Sequence, residues 1–233
     1  MVGAYKVYGI PPRKRIFPRI FSINTKILFV NLFCFFIFTI FLAKNPSLID
    51  FIALKPSNIF QGQYLWTFLT SMFMHVPGPS GFGILSFHLF ANMLSLLFIG
   101  GLVERILGAR RYLWFYLISG LFAGLFFVLF SLVFKGDFNT YAVGASGALF
   151  GLVGFLMIIT PNLPVYIMFI PIPIKMKYAA PGILIVLWLI SLGANIGIGN
   201  TAHLGGLIAG LIYGIYLKNK YKNKTRMISH YFS

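Results

Sequence analysis

Long apolar stretches separated by more polar segments of varied length set the pattern of this sequence. They fall near residues 26–43, 84–103, 112–134, 145–160, 178–196 and 201–217. A helix that crosses a membrane needs about 17–25 predominantly apolar residues, so the pattern predicts an all-α polytopic membrane protein with six transmembrane helices. The stretches 145–160 and 201–217 are at the short end, and we expect their helices to begin below a membrane surface.

The segments outside these stretches define the domain organisation that we predict. Residues 1–25 are basic and contain prolines, which indicates a cytoplasmic N-terminal arm, and residues 218–233 form a basic cytoplasmic tail. Between them lies a membrane-embedded domain, residues 26–217. Its longest connection, residues 44–83, is rich in aromatic, glycine and proline residues. We expect it on the outer side, partly within the membrane interface, where Trp and Tyr are common.

Composition and charge narrow the class of protein. Hydrophobic residues make up 59% of the 233 residues and charged residues only 9%, which excludes a water-soluble globular protein. The net charge of +16 comes from 19 Lys and Arg residues against three acids. A nucleic-acid partner is one interpretation of this excess. However, the basic residues cluster at the ends of the apolar stretches, as membrane topology requires, so we expect a lipid bilayer as the partner and no nucleic acid.

The same charges predict the orientation of the chain. With the N-terminus inside, sixteen of the 19 basic residues fall in inner segments, and three, Lys44, Lys55 and Lys135, fall outside. Such a bias favours six spans with both termini in the cytoplasm. This topology puts the N-terminal ends of the fourth and sixth spans on the outer side. Those ends carry the residues with the clearest chemistry, Ser146 and His203.

Ser146 lies at the start of the fourth span, between Gly144-Ala145 and Gly147. A serine hydroxyl becomes a good nucleophile when a base takes its proton, and histidine is the usual base. Its small neighbours would let a substrate backbone approach. A helix that begins near Ser146 has free amide groups and a positive dipole end there, which would stabilise an oxyanion. The alternative role for a serine in a membrane helix is a backbone hydrogen bond or helix packing.

His203 opens the sixth span. A histidine at membrane depth is costly and commonly functional, and a structural hydrogen bond is the alternative. The acid that orients the histidine of a catalytic triad has no evident counterpart. Glu104 falls at the cytoplasmic end of the second span, and Asp50 and Asp137 fall in outer loops. We therefore predict a catalytic dyad of Ser146 and His203 rather than a triad.

A third element is the pair His88 and Asn92 in the outer half of the second span. Residues four apart share one face of a helix, and we expect this pair at about the depth of Ser146. Two uncharged hydrogen-bond donors on one face would complete an oxyanion hole. The alternative role for the pair is to cap buried carbonyl groups of a loop.

Glycines four residues apart recur along the apolar stretches. In lipid, helices associate through close packing at small residues, so these series predict tight helix contacts. They are Gly120 and Gly124, Gly147 and Gly151, Gly193 and Gly197, and Gly206, Gly210 and Gly214. Two of the series begin beside the candidate serine and histidine, and would let those side chains meet.

The ordered set of motifs resembles the rhomboid family of intramembrane serine proteases. The motifs are Gly-Ala-Ser-Gly at 144–147, Ala-His at 202–203 followed by Gly206 and Gly210, and His88-x-x-x-Asn92. Their order and spacing are similar to those of the six-helix bacterial form, and the resemblance covers about residues 60–217. It implies a rhomboid-like bundle of six transmembrane helices in a bacterial cytoplasmic membrane.

The resemblance also implies roles for individual residues. Ser146 would be the nucleophile and His203 the general base, and the Ser146 amide with His88 and Asn92 would form the oxyanion hole. Phe150, one turn beyond Ser146, would pack against the His203 ring. The implied substrates are transmembrane proteins, cleaved near the outer face, and the implied reaction needs no cofactor.

The sequence departs from the family pattern in two places. Trp66 is followed by Thr67, where the family commonly has Trp-Arg, and the stretch from His75 to His88 is longer than usual. Both lie near the expected path of the substrate and therefore bear on its selection. Glu104, in contrast, matches the acidic residue of a family element that is structural.

Two other classes of protein stay open at this stage. One is a non-catalytic relative that binds transmembrane segments, although such relatives typically lack the serine or the histidine. The other is a carrier of ions or small solutes, which would be expected to hold charged residues centrally in its spans, where this sequence has none. We expect no metal site, since His75, His88 and His203 lack a ligand-like spacing with acids or cysteines.

Overall fold

The computed structural model describes residues 22–75, 84–167, 172–194 and 199–232. Residues 44–83, which are expected on the outer side, are called the outer connection. The expected N-terminal arm up to residue 21, the segment 76–83 of the outer connection, and Gly197 lie outside the described residues. Helices dominate the described part. The described part also contains one antiparallel pair of two-residue strands.

The secondary structure follows the order of the apolar stretches. The α-helices are α1 (Ile23–Lys44), α2 (Pro56–Phe60), α3 (Thr67–Thr70), α4 (Ile84–Ser95), α5 (Gly101–Leu107), α6 (Ala109–Phe130), α7 (Ser146–Ile159), α8 (Met176–Ala194), α9 (Asn200–Lys220) and α10 (Lys222–Tyr231). Short 3-10 segments are Pro46–Phe51, Ser71–Phe73 and Lys135–Asp137, and a π-helical segment, Leu96–Gly100, joins α4 to α5. The strands are β1 (Pro164–Val165) and β2 (Ile174–Lys175), with Pro164 opposite Lys175.

Helices occupy all six predicted positions. Within the described residues, four are long and apolar enough to cross a membrane, judged by length and composition: Ile23–Lys44, Phe87–Leu107, Ala109–Phe130 and Met176–Gly193. The apolar helix α7 has only 14 residues, as its short stretch predicts. The helix α9 has 21 residues, with polar residues at both ends. The chain is thus an integral membrane protein with a polytopic helical bundle.

The helix α7 forms the centre of the bundle. It packs mainly against α9 and α6, and its residues Leu152, Phe155 and Leu156 are fully buried. A helix that is apolar on all sides is expected in such a position. The main hydrophobic core surrounds α7, so the residue at its head is held by neighbours on several sides.

Glycines bring α7 and α9 into backbone contact. A Cβ atom at Gly206 would overlap the carbonyl oxygen of Gly147, and one at Gly210 would overlap that of Gly151. Further along, a Cβ at Gly214 would lie 2.8 Å from an Ile158 side-chain atom. The close approach predicted from these glycine series is therefore confirmed.

The pair Gly120 and Gly124 of α6 faces a different neighbour. A Cβ at Gly120 would overlap the Met72 side chain, and one at Gly124 would lie 3.1 Å from Leu54 and 3.2 Å from Phe68. These three side chains belong to the outer connection. The small residues therefore admit that connection against α6, and Gly120 also lies close to α7, since its Cβ would be 3.3 Å from the Ala148 side chain.

The outward-facing side of α8 is loosely packed, whereas the start of the helix is buried. Within the part of the chain that the structure describes, a Cβ at Gly182 or Gly193 would meet nothing within 4 Å, and Ile185, Leu189 and Leu192 are exposed. The predicted tight contact at Gly193 is wrong, because this part of α8 faces away from the other described helices. Large apolar side chains on such a face suit contact with lipid.

The described part of the outer connection, residues 45–75, is anchored to the segment between α6 and α7. Leu54 and Ala142 exchange two backbone hydrogen bonds of 3.1 and 2.8 Å. The Ser57 N–H donates to the Phe138 carbonyl oxygen at 3.0 Å. Backbone bonds of this kind fix the outer connection over the end of the bundle that contains the head of α7.

A polar cluster strengthens this anchoring. Asp50 accepts hydrogen bonds from the Tyr141 hydroxyl at 2.8 Å and from Asn58 Nδ2 at 2.9 Å, and Lys55 Nζ lies 3.8 Å away. Burial raises the pKa of Asp50, but the two hydrogen bonds and the Lys55 charge outweigh it. The pKa of this carboxyl group is therefore below its usual value.

Glu104 secures the opposite end of the bundle. Its carboxylate accepts hydrogen bonds from the N–H groups of Ile23 at 3.0 Å and Asn24 at 2.9 Å. These amides begin α1 and have no partner within the helix, and a negative charge there also complements the helix dipole. The predicted tail, residues 218–233, contributes the last turn of α9 and then α10.

Candidate active site

Ser146 is the first residue of α7. The first amides of α7 lack an intrahelical partner, as at every helix start, and the side chain of the preceding Ala145 does not cap them. Gly144 adopts a φ of +110°, which glycine takes without steric cost, and its N–H donates to the Ser71 carbonyl oxygen at 2.9 Å. This turn, held by the outer connection, places Ser146 at the head of the helix.

His203 lies in the first turn of α9, and its ring reaches Ser146. The distance from His203 Nε2 to Ser146 Oγ is 2.8 Å, between residues 57 positions apart in the sequence. This is a hydrogen-bonding distance. The His203 side chain is enclosed by the bundle, with an exposed fraction of 7%. The structure thus brings together the two residues proposed from the sequence as a dyad.

Phe150 covers the ring of His203. The two rings stack with centroids 4.6 Å apart and planes inclined by 20°. Phe150 lies on α7 one turn beyond Ser146, so one helix presents both the hydroxyl and the stacking surface. Nδ1 of His203 has no hydrogen-bond partner among the described residues. The Phe150 ring and the Ser146 hydroxyl therefore both contribute to the orientation of the imidazole.

His88 and Asn92 lie one turn apart on α4. A Cβ at Gly144 would lie 3.0 Å from Cε1 and 3.3 Å from Nε2 of His88, so the His88 ring packs against the turn before Ser146. The Asn92 side chain is buried, and its Nδ2 donates to the His88 carbonyl oxygen at 2.8 Å. This bond uses one amide hydrogen of Asn92 and leaves the second for another acceptor.

A further histidine, His75, lies beside this pair. Its ring centroid is 5.5 Å from that of His88, and its Nε2 would lie 3.7 Å from a Cβ at Gly144. His75 is 1% exposed, and neither ring nitrogen has a partner among the described residues. The sequence motifs assign His75 no role at this site. No local pattern indicates that the outer connection returns to the turn at Gly144.

The site offers hydroxyl and imidazole chemistry beside free helix amides. Among the described residues, no group of three His, Cys, Asp or Glu side chains is arranged to hold a metal ion. A hydroxyl that is hydrogen-bonded to an imidazole, next to unpartnered amides, is suited to acyl transfer. Fold and site together define an integral membrane protein with a half-buried serine hydrogen-bonded to a buried histidine.

Comparison with known proteins identifies the family. The Rhomboid domain model matches residues 62–220, and the chain belongs to the rhomboid family. Similar proteins include RHOMBOID-like protein 1 of Arabidopsis thaliana, 34% identical over 167 residues, which are 70% of this chain and 37% of that protein. Rhomboid protease GluP of Bacillus subtilis (strain 168) is 32% identical over 170 residues, 72% of this chain and 29% of GluP.

A longer match is to Rhomboid protease AarA of Providencia stuartii, which is 28% identical over 230 residues, 89% of this chain and 76% of AarA. By contrast, the chain spans about a third of the length of RHOMBOID-like protein 1 and of GluP. The matched residues contain Ser146, His203, His88 and Asn92. The family assignment therefore rests on the part of the chain that holds the candidate site.

Proposed function

We propose that this protein is an intramembrane serine endopeptidase, which hydrolyses peptide bonds in or next to transmembrane segments of other membrane proteins. The observation that carries the proposal is the 2.8 Å contact between Ser146 Oγ and His203 Nε2. It occurs within a bundle of the rhomboid family. The names of two relatives, Rhomboid protease GluP and Rhomboid protease AarA, support the same class of reaction.

In the proposed reaction, Ser146 is the nucleophile and His203 the general base. Nε2 accepts the hydroxyl proton while Oγ attacks the carbonyl carbon of the substrate. The imidazolium then gives this proton to the leaving amine as the tetrahedral intermediate collapses to an acyl-enzyme. In the second half, Nε2 takes a proton from water, whose oxygen attacks the acyl carbon. The imidazolium then returns that proton to Ser146 Oγ as the bond between Oγ and the acyl carbon breaks, which releases the acid product and restores both residues.

The base must be neutral and must carry its proton on Nδ1 for Nε2 to accept. In a triad, an acid bonded to Nδ1 selects this tautomer. Nδ1 of His203 is buried without a partner among the described residues, which supports a dyad. Phe150 stacks on the His203 ring, which supports its proposed role of holding that ring in an orientation in which Nε2 reaches Ser146 Oγ.

The oxyanion of the intermediate would be stabilised at the head of α7. The Ser146 amide, with the positive end of the helix dipole, is the first proposed donor. His88 and Asn92 are the second and third. The packing of His88 against Gly144 and the remaining hydrogen of the Asn92 amide support these roles. Gly147 and Gly206 would support the site by letting α7 and α9 approach.

The proposed setting is a bacterial cytoplasmic membrane, with both termini in the cytoplasm and the site open to the outer side. The placement of sixteen of the 19 basic residues in inner segments supports this orientation. The proposed organisation remains an arm (1–25), a membrane-embedded protease domain (26–217) and a basic tail (218–233). No cofactor is needed, and the partners are transmembrane substrates and lipid.

A substrate in the bilayer must enter the bundle from the side, and the outer connection and α8 are the candidate gates. The outer connection is held by backbone hydrogen bonds near Leu54 and Ser57. The helix α8, in contrast, carries no close glycine contact at Gly182 or Gly193. We therefore propose that α8, and not the outer connection, moves to admit the substrate, since a loosely packed helix can shift at a lower cost than an anchored loop.

The experiment that tests the function uses purified protein in liposomes with a single-span substrate. Wild type is expected to cleave it and to react with a fluorophosphonate probe at Ser146. Ser146→Ala should abolish both, and His203→Ala should slow both by about 1,000-fold or more. Ser119→Ala, which removes a buried hydroxyl of α6 with no described partner, is the matched control and should keep full activity. Cleavage that survives Ser146→Ala would exclude the proposed nucleophile.

A further inference from the structure

The connection between α6 and α7, residues 131–145, touches both helices that carry the dyad. It leads directly into Ser146, and its Asp137 reaches the start of α9. Thr201 Oγ1 donates to Asp137 Oδ2 at 3.0 Å. Thr201 stands two residues before His203 and is 4% exposed, so this hydrogen bond joins the connection to the first turn of the histidine helix.

Among the described residues, no side chain at the N-cap position closes the start of α9. The residue before it is Gly199, and no side chain at that position accepts a hydrogen bond from the helix. The first amides of a helix lack intrahelical partners, and a negative charge nearby stabilises that end. A hydrogen bond to an ionised carboxylate is also stronger than one between neutral groups. Asp137 thus provides, from another segment, the anchor that Gly199 lacks.

Asp137 is itself firmly supported. Its N–H donates to the Phe134 carbonyl oxygen at 2.9 Å, and the next residue, Phe138, accepts a hydrogen bond from the Ser57 N–H at 3.0 Å. The Phe138 ring stacks on Phe60, with centroids 5.9 Å apart and planes inclined by 15°. The carboxylate is therefore attached to a fixed support and not to a free loop.

We propose that Asp137 is a positioning residue for the dyad, which acts through Thr201 to keep His203 within hydrogen-bonding distance of Ser146. The same connection fixes the serine side, because the Gly144 N–H is bonded to the Ser71 carbonyl oxygen at 2.9 Å. One segment thereby controls both partners of the 2.8 Å contact. This inference rests on the proposed function, and it gives Asp137 no contact with the substrate.

The sharpest test removes the hydroxyl of Thr201 while its shape is kept. Thr201→Val is expected to lower kcat by about 100-fold, since a misplacement of about 1 Å in a catalytic group has effects of that size. The KM for a transmembrane substrate should not change. Thr201→Ser keeps the hydroxyl and should restore kcat. The matched control is Thr140→Val in the same connection, where the lost hydrogen bond is local, from Oγ1 to the Gly136 carbonyl oxygen.

A double-mutant cycle separates this role from general loss of structure. Asp137→Ala should reduce kcat as much as Thr201→Val, and the double variant should be no worse than either, because both remove the same bond. Asp137→Asn, which retains an acceptor oxygen, should lie between wild type and Asp137→Ala. The rate of fluorophosphonate labelling at Ser146 should follow kcat in every variant, since the probe needs the dyad but not the entry of a substrate.

The outcomes distinguish this inference from the proposed function. If wild type neither cleaves nor labels, the proposed function fails. If wild type is active and Thr201→Val keeps its kcat and labelling rate, only the role of Asp137 fails. The role also fails if the effects of Thr201→Val and Asp137→Ala multiply in the double variant, or if Thr201→Ser is as impaired as Thr201→Val.

Discussion

Replacing Gly206 by alanine tests whether the contact between α7 and α9 controls the geometry of the dyad. The new Cβ would overlap the carbonyl oxygen of Gly147, and would lie 3.0 Å from its carbonyl carbon and 3.3 Å from the Gly151 nitrogen. These are backbone atoms, so no rotation of a side chain relieves the contact. Because Gly206 follows His203 closely and Gly147 follows Ser146, any separation of the helices acts directly on the dyad.

The magnitude follows from the size of that separation. Restoring van der Waals contact requires the helices to move apart by about 1 Å, and such a displacement of catalytic groups costs about 100-fold in rate. Overpacking costs about 1–3 kcal/mol, whereas replacing a helical glycine by alanine recovers about 1 kcal/mol in helix propensity. We therefore expect a net loss of up to about 2 kcal/mol in stability, together with a roughly 100-fold slower cleavage.

The assay compares Gly206→Ala with Gly182→Ala in liposomes. Gly182 lies on α8, where a Cβ would meet nothing within 4 Å, so this control changes helix propensity without changing packing. Cleavage of a single-span substrate and thermal unfolding are measured for both variants. The reasoning is refuted if Gly206→Ala cleaves at the wild-type rate, or if Gly182→Ala loses as much activity as Gly206→Ala does.

Asn92→Ala removes a proposed oxyanion donor and should lower kcat about 100-fold with little change in KM, and an unchanged kcat in steady-state assays would contradict that role. Because the pKa of Asp50 lies below its usual value, its pairing stabilises the fold above the unfolded-state pKa and is lost as pH falls through the folded-state pKa. Asp50→Asn should therefore flatten the decrease in unfolding temperature on acidification, and an unchanged profile would refute this. Cross-linking cysteines at Phe134 and Trp188, whose rings are 6.2 Å apart, in a cysteine-free background should block substrate cleavage but not probe labelling of Ser146. Unaffected cleavage would exclude α8 as the gate.

The general layout of the helices could be predicted from the sequence because it depends on local properties. Length and apolarity locate the helices, and the distribution of Lys and Arg predicts which helix ends share a membrane face. These properties are enough to propose that Ser146 and His203 lie on one side. The glycines that follow each residue then predict the close approach of α7 and α9 that the structure contains.

The anchoring of the outer connection could not be predicted in this way. It depends on backbone hydrogen bonds between distant segments, such as those between Leu54 and Ala142, and backbone groups leave no trace in residue identity. Gly120 and Gly124 show the same limit. Their spacing predicts that another segment packs closely against α6, but it does not identify that segment. For the same reason, His75 could not be placed beside the turn before Ser146 from its sequence position.

The acids show how a residue can matter without touching the dyad. The sequence positions of the acids predict that none of them lies against His203. The chain has three acids among its 233 residues, and each one joins separate elements: Glu104 holds the start of α1, Asp50 ties the outer connection to Tyr141, and Asp137 holds Thr201. Buried or half-buried carboxylates are costly unless they are paired, so each is expected at a junction that needs it. Only the junction at Asp137 adjoins a helix end that carries a member of the dyad. Loss of the Asp137 carboxylate should therefore impair catalysis, whereas loss of Glu104 or Asp50 should mainly reduce stability.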